Sequence, residues 1–230
     1  FTNLASQKEQ NHASYMATGT RFTNDWKLDW ELDTLRTGSI DSVLVNLPRL
    51  AYECEGKMSK FYELLNEQLE MALRALEIKY QTLKMRVREG LVPLLTHKVD
   101  GEQYARFDNF TRLMGFVGLN EAVEALTGKP LHEEGKPTDT AEEVIRHIHD
   151  TVQKSLRKPE TRPVTAMIPA AGASRRLAQL DVEHYGWAKV HVSGTKENPF
   201  YTDLVAVPMQ AKTVLNQRLK IEERIQQLSQ

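Results

Sequence analysis

Between Phe61 and Leu83 the apolar residues fall at steps of three and four: Phe61, Leu64, Leu65, Leu69, Leu73, Leu76, Tyr80 and Leu83. That period puts them on one face of a helix, and the pattern predicts a long helix from about Lys57 to Arg88, closed by Gly90. Just before it, IDSVLVNL (40–47) is rich in β-branched residues and ends at Pro48, which reads as a buried strand. FDNFTRLMGFVGLNEAVEALTG passes from a strand or loop into a short helix starting near Leu119 and ending at Gly128. LHEEGKPTDT, polar with Gly and Pro, predicts a surface loop. Asp139 or Thr140 is placed to cap a helix running to about Leu156. Pro163 to Ile168 predicts another strand and Ser174 to Leu180 a short helix. SGTKENP then leads as a loop into a strand at FYTDLVAV, with a last helix from near Ala211. Residues 1–36 are polar, with ASYMATGTRF and DWKLDW as the dense apolar spots. Strands alternating with helices predict an α/β fold with long helices outside. No internal repeat interrupts the pattern.

Composition narrows this picture. A 230-residue chain with 40% hydrophobic residues can bury one large core or two small ones, and one domain is the default expectation. A formal net charge of -1 gives no overall attraction for polyanions, and no basic stretch interleaved with aromatics suggests nucleic acid. The single cysteine, Cys54, excludes an internal disulfide framework and a CxxC metal site. No apolar run reaches the roughly 18 residues of a membrane helix, and no signal peptide is visible, so a cytoplasmic setting without membrane contact is expected. The chain opens at Phe1 and stops within LKIEERIQQLSQ, a helical pattern without a cap, which leads us to expect a piece of something longer.

The densest candidate chemistry lies in MIPAAGASRRLAQLD (167–181). A strand, a turn of small residues and an immediate helix start leave several backbone N–H groups unpaired. Ala170, Ala171, Gly172 and Ala173 let an anion approach those amides, and the helix dipole adds partial positive charge there. Ser174 could contribute a hydroxyl, and Arg175 or Arg176 a formal charge. The turn thus reads as a phosphate cradle, or as small residues that let a helix pack tightly on its strand. Other candidates read more plainly. His147 and His149 lie two apart, so they face different sides of a helix and read as solvated histidines. His184 and His191 stand alone. Asp25, Asp29 and Asp33, beside Trp26 and Trp30, read as surface carboxylates or as ligands for a divalent cation accompanying a triphosphate. EEVIRHIHDTVQKSLRK and KIEERIQQ read as solvated helix faces.

Five stretches, in order, resemble the class III anaerobic ribonucleoside-triphosphate reductases: RTGSIDSVLVNLPRL, GFVGLNEAVEALTG, PAAGASRRLAQLD, NPFYTDLVAVP and LKIEERIQQLSQ. The likeness extends from about residue 14 to residue 230. It implies that residues 1–230 are one segment of a catalytic barrel, residues 1–36 forming a polar N-terminal loop region and 37–230 barrel strands and helices. The implied fold is part of a ten-stranded α/β barrel of the ribonucleotide reductase and glycyl-radical type, with long outer helices. The implied reaction removes the ribose 2′-hydroxyl of a ribonucleoside triphosphate. In the family a C-terminal glycyl radical generates a thiyl radical on a barrel cysteine, which abstracts the 3′-hydrogen.

Carried over, the resemblance assigns Pro169, Ala170, Ala171, Gly172, Ala173 and Ser174 to the substrate phosphates and Ser39 to the ribose. Asn46 and Arg49 would shape a strand end, and Tyr201 and Thr202 would line the site from another strand. A Mg²⁺ ion with the nucleotide, a radical-activating iron–sulfur protein and a homodimer are implied with it. The sequence departs from the family at Thr20, in MATGTRF, where the thiyl cysteine is expected. An alcohol O–H bond is too strong to replace a thiol in that role. Cys54 reads as an inert thiol. No glycyl-radical segment, cysteine-rich zinc site or nucleotide-sensing domain is recognisable, so the segment by itself is expected to be inactive. Three functions follow: part of an anaerobic reductase, a catalytically dead reductase-like barrel that binds nucleotide, or another glycyl-radical enzyme. The phosphate turn argues against the last.

Overall fold

The computed structural model describes residues 34–203 except 100, 134, 156–161 and 167, together with Ala13–Tyr15, Arg21–Thr23, Asp29 and Glu31. In chain order the elements are β1 (Ala13–Tyr15), β2 (Arg21–Thr23), β3 (Ser39–Asn46), α1 (Leu47–Glu53), α2 (Met58–Arg88), α3 (Pro93–Thr96), β4 (Lys98–Val99) and β5 (Glu102–Gln103). They continue with β6 (Thr111–Val117), α4 (Leu119–Thr127), α5 (Lys136–Lys154), β7 (Arg162–Thr165), α6 (Ala171–Tyr185), β8 (Ser193–Gly194) and β9 (Pro199–Phe200). The chain divides into two compact units. One comprises Phe1–Asn46, Ser59–Phe116 and His147–Pro169; the other comprises Leu47–Met58, Val117–Arg146 and Ala170–Gln230.

The first unit is built on a sheet of order β3-β6-β7. Strands β6 and β7 run parallel, with Thr111 opposite Arg162 and Met114 opposite Thr165. Every residue of the central strand β6 is buried, as expected of a strand covered on both faces. Gly115 is required there, because a Cβ would lie 2.6 Å from the Leu44 side chain and 3.3 Å from the Ala166 carbonyl. Helix α2 buries Phe61, Leu65, Leu69, Ala72, Leu76 and Tyr80, which follows the predicted period closely. In the N-terminal region, β1 and β2 pair antiparallel, with Ala13 opposite Thr23, where a loop was expected.

In the second unit α1 packs on α4, and α6 packs on β9. Its core joins Tyr52, Val117, Ala178, Val190 and Tyr201. Helix α1 corrects the expectation at Pro48. The proline does not merely stop a strand; it sits in the first turn of a helix, where its missing N–H costs nothing. Gly118, at φ 75°, carries the chain into α4, and a Cβ there would lie 2.3 Å from the Pro48 ring.

Other boundaries shift as well. Helix α5 begins at Lys136, so GKPTDT is partly helical, and Thr140 is buried inside the helix instead of capping it. Helix α6 runs from Ala171 to Tyr185, well beyond the predicted Ser174–Leu180, and Gly186 ends it. Strand β7 stops at Thr165, leaving Ile168 buried but outside the strand. Tyr201 and Thr202 follow β9 as non-strand residues. The remainder of FYTDLVAV from Leu204, the helix expected near Ala211 and Leu156 lie outside the described residues. Among the described residues the largest sheet has three strands, in an α/β arrangement.

Candidate functional site

The candidate site is built on the N-terminus of α6, in the second unit. Ala170 is the N-cap residue and offers no side-chain cap. The first helical turn closes with the Ser174 N–H donating to the Ala170 carbonyl at 2.8 Å. Ala171, Gly172 and Ala173 therefore have N–H groups without an acceptor among the described residues, the usual condition of a first turn. Ala171 and Gly172 are exposed, and Ala173 is half-buried. A Cβ built on Gly172 meets nothing within 4 Å among the described residues, so a side chain there would have room. Arg175 and Arg176 are exposed on the following turn, and Pro169 is exposed just before it.

Two residues of this turn have other partners. The Ser174 hydroxyl, expected to contact phosphate, is buried and donates to the Tyr201 carbonyl. The Ala170 N–H donates to Asp203 Oδ2 at 2.8 Å, so a carboxylate holds the amide that precedes the open three.

The segment Tyr201–Asp203 is fixed from several sides. The Gly118 N–H donates to the Thr202 carbonyl at 2.8 Å. Glu121, only 1% exposed, accepts on Oε1 from the Thr202 N–H at 3.0 Å, the Thr202 hydroxyl at 2.8 Å and the Ser193 hydroxyl at 2.8 Å. Tyr201 is fully buried and donates its hydroxyl to Asp181 Oδ2 at 2.8 Å. Asp181, also fully buried, accepts on Oδ1 from Arg49 Nε at 2.7 Å and from Arg49 Nη2. Arg49 thus anchors α1 to α6 through two charge-assisted hydrogen bonds that converge on one carboxylate oxygen.

Burial pushes the Tyr52 phenol up to about 12, against the lowering effect of its bonds to Tyr201 and His191. Burial, with Tyr52 and Asp181 beside it, holds the Tyr201 phenol far above the ordinary tyrosine range. On the outer face of the unit, Arg49, Glu53, Leu180, Glu183, His184 and Tyr185 line an open groove of about 440 Å³. It contains none of the turn residues.

Ser39 and Asn46 belong to the first unit, at the two ends of β3. The Ser39 hydroxyl donates to the Asp41 carbonyl at 3.1 Å, and Asn46 is half-buried. Thr20, Asp25, Asp33, Trp26 and Trp30 lie outside the described residues. Asp29 accepts the Glu31 N–H at 2.9 Å. His147 is not solvated as expected: it is half-buried, 2.7 Å from Asn66 Oδ1 and packed on Tyr62. His149 is exposed. His191 is paired with Glu124 at 3.2 Å, and His184 stands edge-on to Tyr185. Cys54 is buried and donates to the Ala51 carbonyl at 3.2 Å. Among the described residues no cluster of three or more His, Cys, Asp or Glu side chains could hold a metal ion. No helix among them is long and apolar enough to cross a membrane.

Sequence reasoning passed over Glu121, Asp181 and Asp203. Asp181 carried a usable signal, since it continues the buried stripe Ser174–Ala178 at helical spacing. A carboxylate on a buried stripe calls for a partner.

Comparison with known proteins identifies the family. Residues 1–230 match the family model for anaerobic ribonucleoside-triphosphate reductase. The chain is 24% identical over 183 residues to the anaerobic ribonucleoside-triphosphate reductase of Salmonella typhimurium, a match covering 74% of this chain and 25% of that protein. It is 21% identical over 181 residues to the Escherichia coli protein of the same name, again covering 74% and 25%. Its fold resembles the anaerobic ribonucleotide reductase from Thermotoga maritima crystallised with glycerol in the active site. There the TM-score is 0.63 at 21% identity, covering 76% of this chain and 27% of that one. The same enzyme in complex with dATP and CTP gives a TM-score of 0.62 at 21% identity, covering 76% and 28%. The chain therefore spans about a quarter of the length of the relatives it matches. With all 230 of its residues within the match to the family model, the chain belongs to the anaerobic ribonucleoside-triphosphate reductase family.

Proposed function

We propose that this chain forms part of the catalytic barrel of an anaerobic reductase that converts ribonucleoside triphosphates to deoxyribonucleotides. In this reading the first turn of α6 receives the substrate phosphates. The observation that carries it is the trio of N–H groups at Ala171, Gly172 and Ala173, which have no acceptor among the described residues, with Ala171 and Gly172 exposed. Amides at a helix start bind anions because the dipole and the unpaired donors act together. Arg175 and Arg176 raise the local positive potential. Asp203 helps fix the turn from behind by occupying the Ala170 N–H. A Mg²⁺ ion would arrive as the counter-ion of the triphosphate.

The radical step needs parts beyond these residues. A glycyl radical from a C-terminal segment would supply the unpaired electron, and an iron–sulfur partner would install it. Thr20 stands where a thiol is required, and Cys54 is buried with its S–H bonded to the Ala51 carbonyl. The segment alone is therefore inactive in this reading. Thr20 also favours a second reading, a reductase-like barrel that binds nucleotide without reducing it. Deoxyribonucleotide formation by the full-length protein with Thr20 in place would exclude that second reading.

The phosphate assignment is tested by calorimetric titration of the protein with ATP and CTP. Gly172→Asp adds a negative charge in open space without a steric clash, and should weaken binding at least tenfold. Gly172→Ala keeps the three amides and should bind as the parent does. Unchanged affinity in Gly172→Asp removes the assignment.

A further inference from the structure

The open groove of the second unit lies apart from the phosphate turn and has a chemistry of its own. One wall is a turn of α1 carrying Arg49 and Glu53; the other is the C-terminal half of α6, carrying Leu180, Glu183, His184 and Tyr185. Arg49 and Glu53 are four residues apart, and Glu183 and His184 lie three and four beyond Leu180, so each set shares one helix face. The space between the walls, about 440 Å³, is that of a small-ligand pocket.

The walls are fixed and their charges are unequal. Glu53 Oε1 accepts the Tyr185 hydroxyl at 2.6 Å, which orients the carboxylate and leaves Oε2 without a partner among the described residues. Tyr185 is itself set edge-on to Tyr52 at 5.7 Å and to His184 at 4.5 Å. Burial, followed by the bond to Glu53, raises the Tyr185 pKa, so the phenol stays a donor. Arg49 is the formal cation of the lining, and its charge is met by the fully buried Asp181. Neither Glu53 nor Glu183 is in an ion pair among the described residues. With His184 neutral, the lining therefore keeps two negative charges. Leu180, 40% exposed, adds an apolar stretch to the α6 wall. The chain already sets one cation at this edge: outside the lining, the Lys189 ammonium lies 5.0 Å over the Tyr185 ring.

We propose that this groove binds an organic cation, an ammonium or guanidinium group carried on an aliphatic stem. The cation sits between Glu53 Oε2 and Glu183, and the stem lies along Leu180 and the methylenes of Arg49. Two sources share that chemistry, a free polyamine and the side chain of a lysine or arginine on a protein segment. An anion is disfavoured, because the guanidinium that could receive it is bonded to Asp181 and two carboxylates flank the space. The inference is independent of the phosphate assignment, since no residue is shared.

Calorimetric titration of the protein with spermidine and with N-acetyl-argininamide is the test. The expected result is saturable binding at one site. Tighter binding of spermidine identifies a free polyamine as the source, and tighter binding of the argininamide a protein side chain. Glu53→Gln keeps an acceptor for Tyr185 but loses the charge, and should weaken binding about fivefold or more. Glu183→Gln, on an exposed position, should weaken it about threefold. Glu143→Gln, which removes an exposed acid on α5, should bind as the parent does. Circular dichroism of each variant should match that of the parent. Failure of both probes to saturate overturns the proposal. So does an equal loss in Glu143→Gln and Glu53→Gln, because the cation would then follow the overall charge and not the groove. Binding that survives Glu53→Gln and Glu183→Gln together overturns it as well.

Discussion

Glu121 shows how one side chain can set the geometry of a neighbouring segment. Its Oε1 gathers three hydrogen bonds, from Ser193 and twice from Thr202, while the carboxylate sits almost fully out of water. Oε2 is buried without a partner among the described residues. Bonds to a charged group contribute roughly 1.5–3 kcal/mol each, and removing the acceptor also strands the donors. Glu121→Ala should therefore cost about 3 kcal/mol or more, which for a chain of this size lowers Tm by roughly 6–12 °C. Glu121→Gln, which keeps an acceptor oxygen, should cost less than half of that. Thermal unfolding of the two variants checks the order, and an equal, small loss in both would refute it. The residue was invisible in the sequence because an acid in the first turn of LNEAVEALTG is what helix-start preference predicts anyway. Only the packing of 193–203 reveals it as a hub. Asp203 was hidden for the same reason, since it acts on Ala170, 33 positions away.

At the scale of elements, long periodic stretches were legible and short ones were not. Helix α2 was readable because its stripe repeats over 31 residues. The seven-residue α1 was missed because the apolar run before it and Pro48 within it read as the end of a strand. Turn residues misplaced the start of α5, where tertiary burial of Pro137 and Thr140 outweighs a local preference for loop. Inside the first unit, the C-terminal part of α5 meets α2 through His147, which sits by Asn66 and Tyr62. Desolvation, followed by Lys154, lowers the His147 pKa from 6.5, with Asp150 opposing. The folded state thus prefers neutral imidazole, so the unfolded chain takes up the proton first as pH falls. This contact is fully stabilising above about pH 6.5 and weakens below it. His147→Gln can keep the bond to Asn66 and carries no titrating group. Its Tm should therefore fall less than that of the parent between pH 7 and pH 5. Parallel Tm profiles for the two proteins would sink the argument.

For the molecule as a whole, the two units differ in what holds them. The first rests on a parallel sheet and the apolar face of α2. The second carries a buried polar network in which Tyr201 bonds Asp181, Arg49 closes on the same carboxylate, and Tyr52 both donates to the His191 carbonyl and accepts its N–H. Such a network stabilises only while each member keeps its protonation state. Burial raises Tyr52 to about 12 from 10.0, so the folded state favours the neutral phenol. A raised folded value means the contribution is fully present below about pH 10 and is lost as pH climbs toward 12. Two pH units correspond to about 3 kcal/mol at most. Tyr201, with Tyr52 and Asp181 adding to its burial, resists ionisation still longer and cannot relieve Tyr52 by titrating first. Tyr52→Phe removes the titrating group and its hydrogen bonds together. At pH 8 it should be less stable than the parent by about 1 kcal/mol, the net worth of a neutral hydrogen bond. Between pH 10 and pH 12 that deficit should shrink and then reverse, because only the parent has an unfolded state that gains by ionising this phenol while its folded state holds it neutral. Urea unfolding of both proteins at pH 8, 10 and 11.5 measures the crossing. A deficit constant with pH would show that the phenol ionises equally well in the folded and unfolded chains, and that the network gains nothing from its burial.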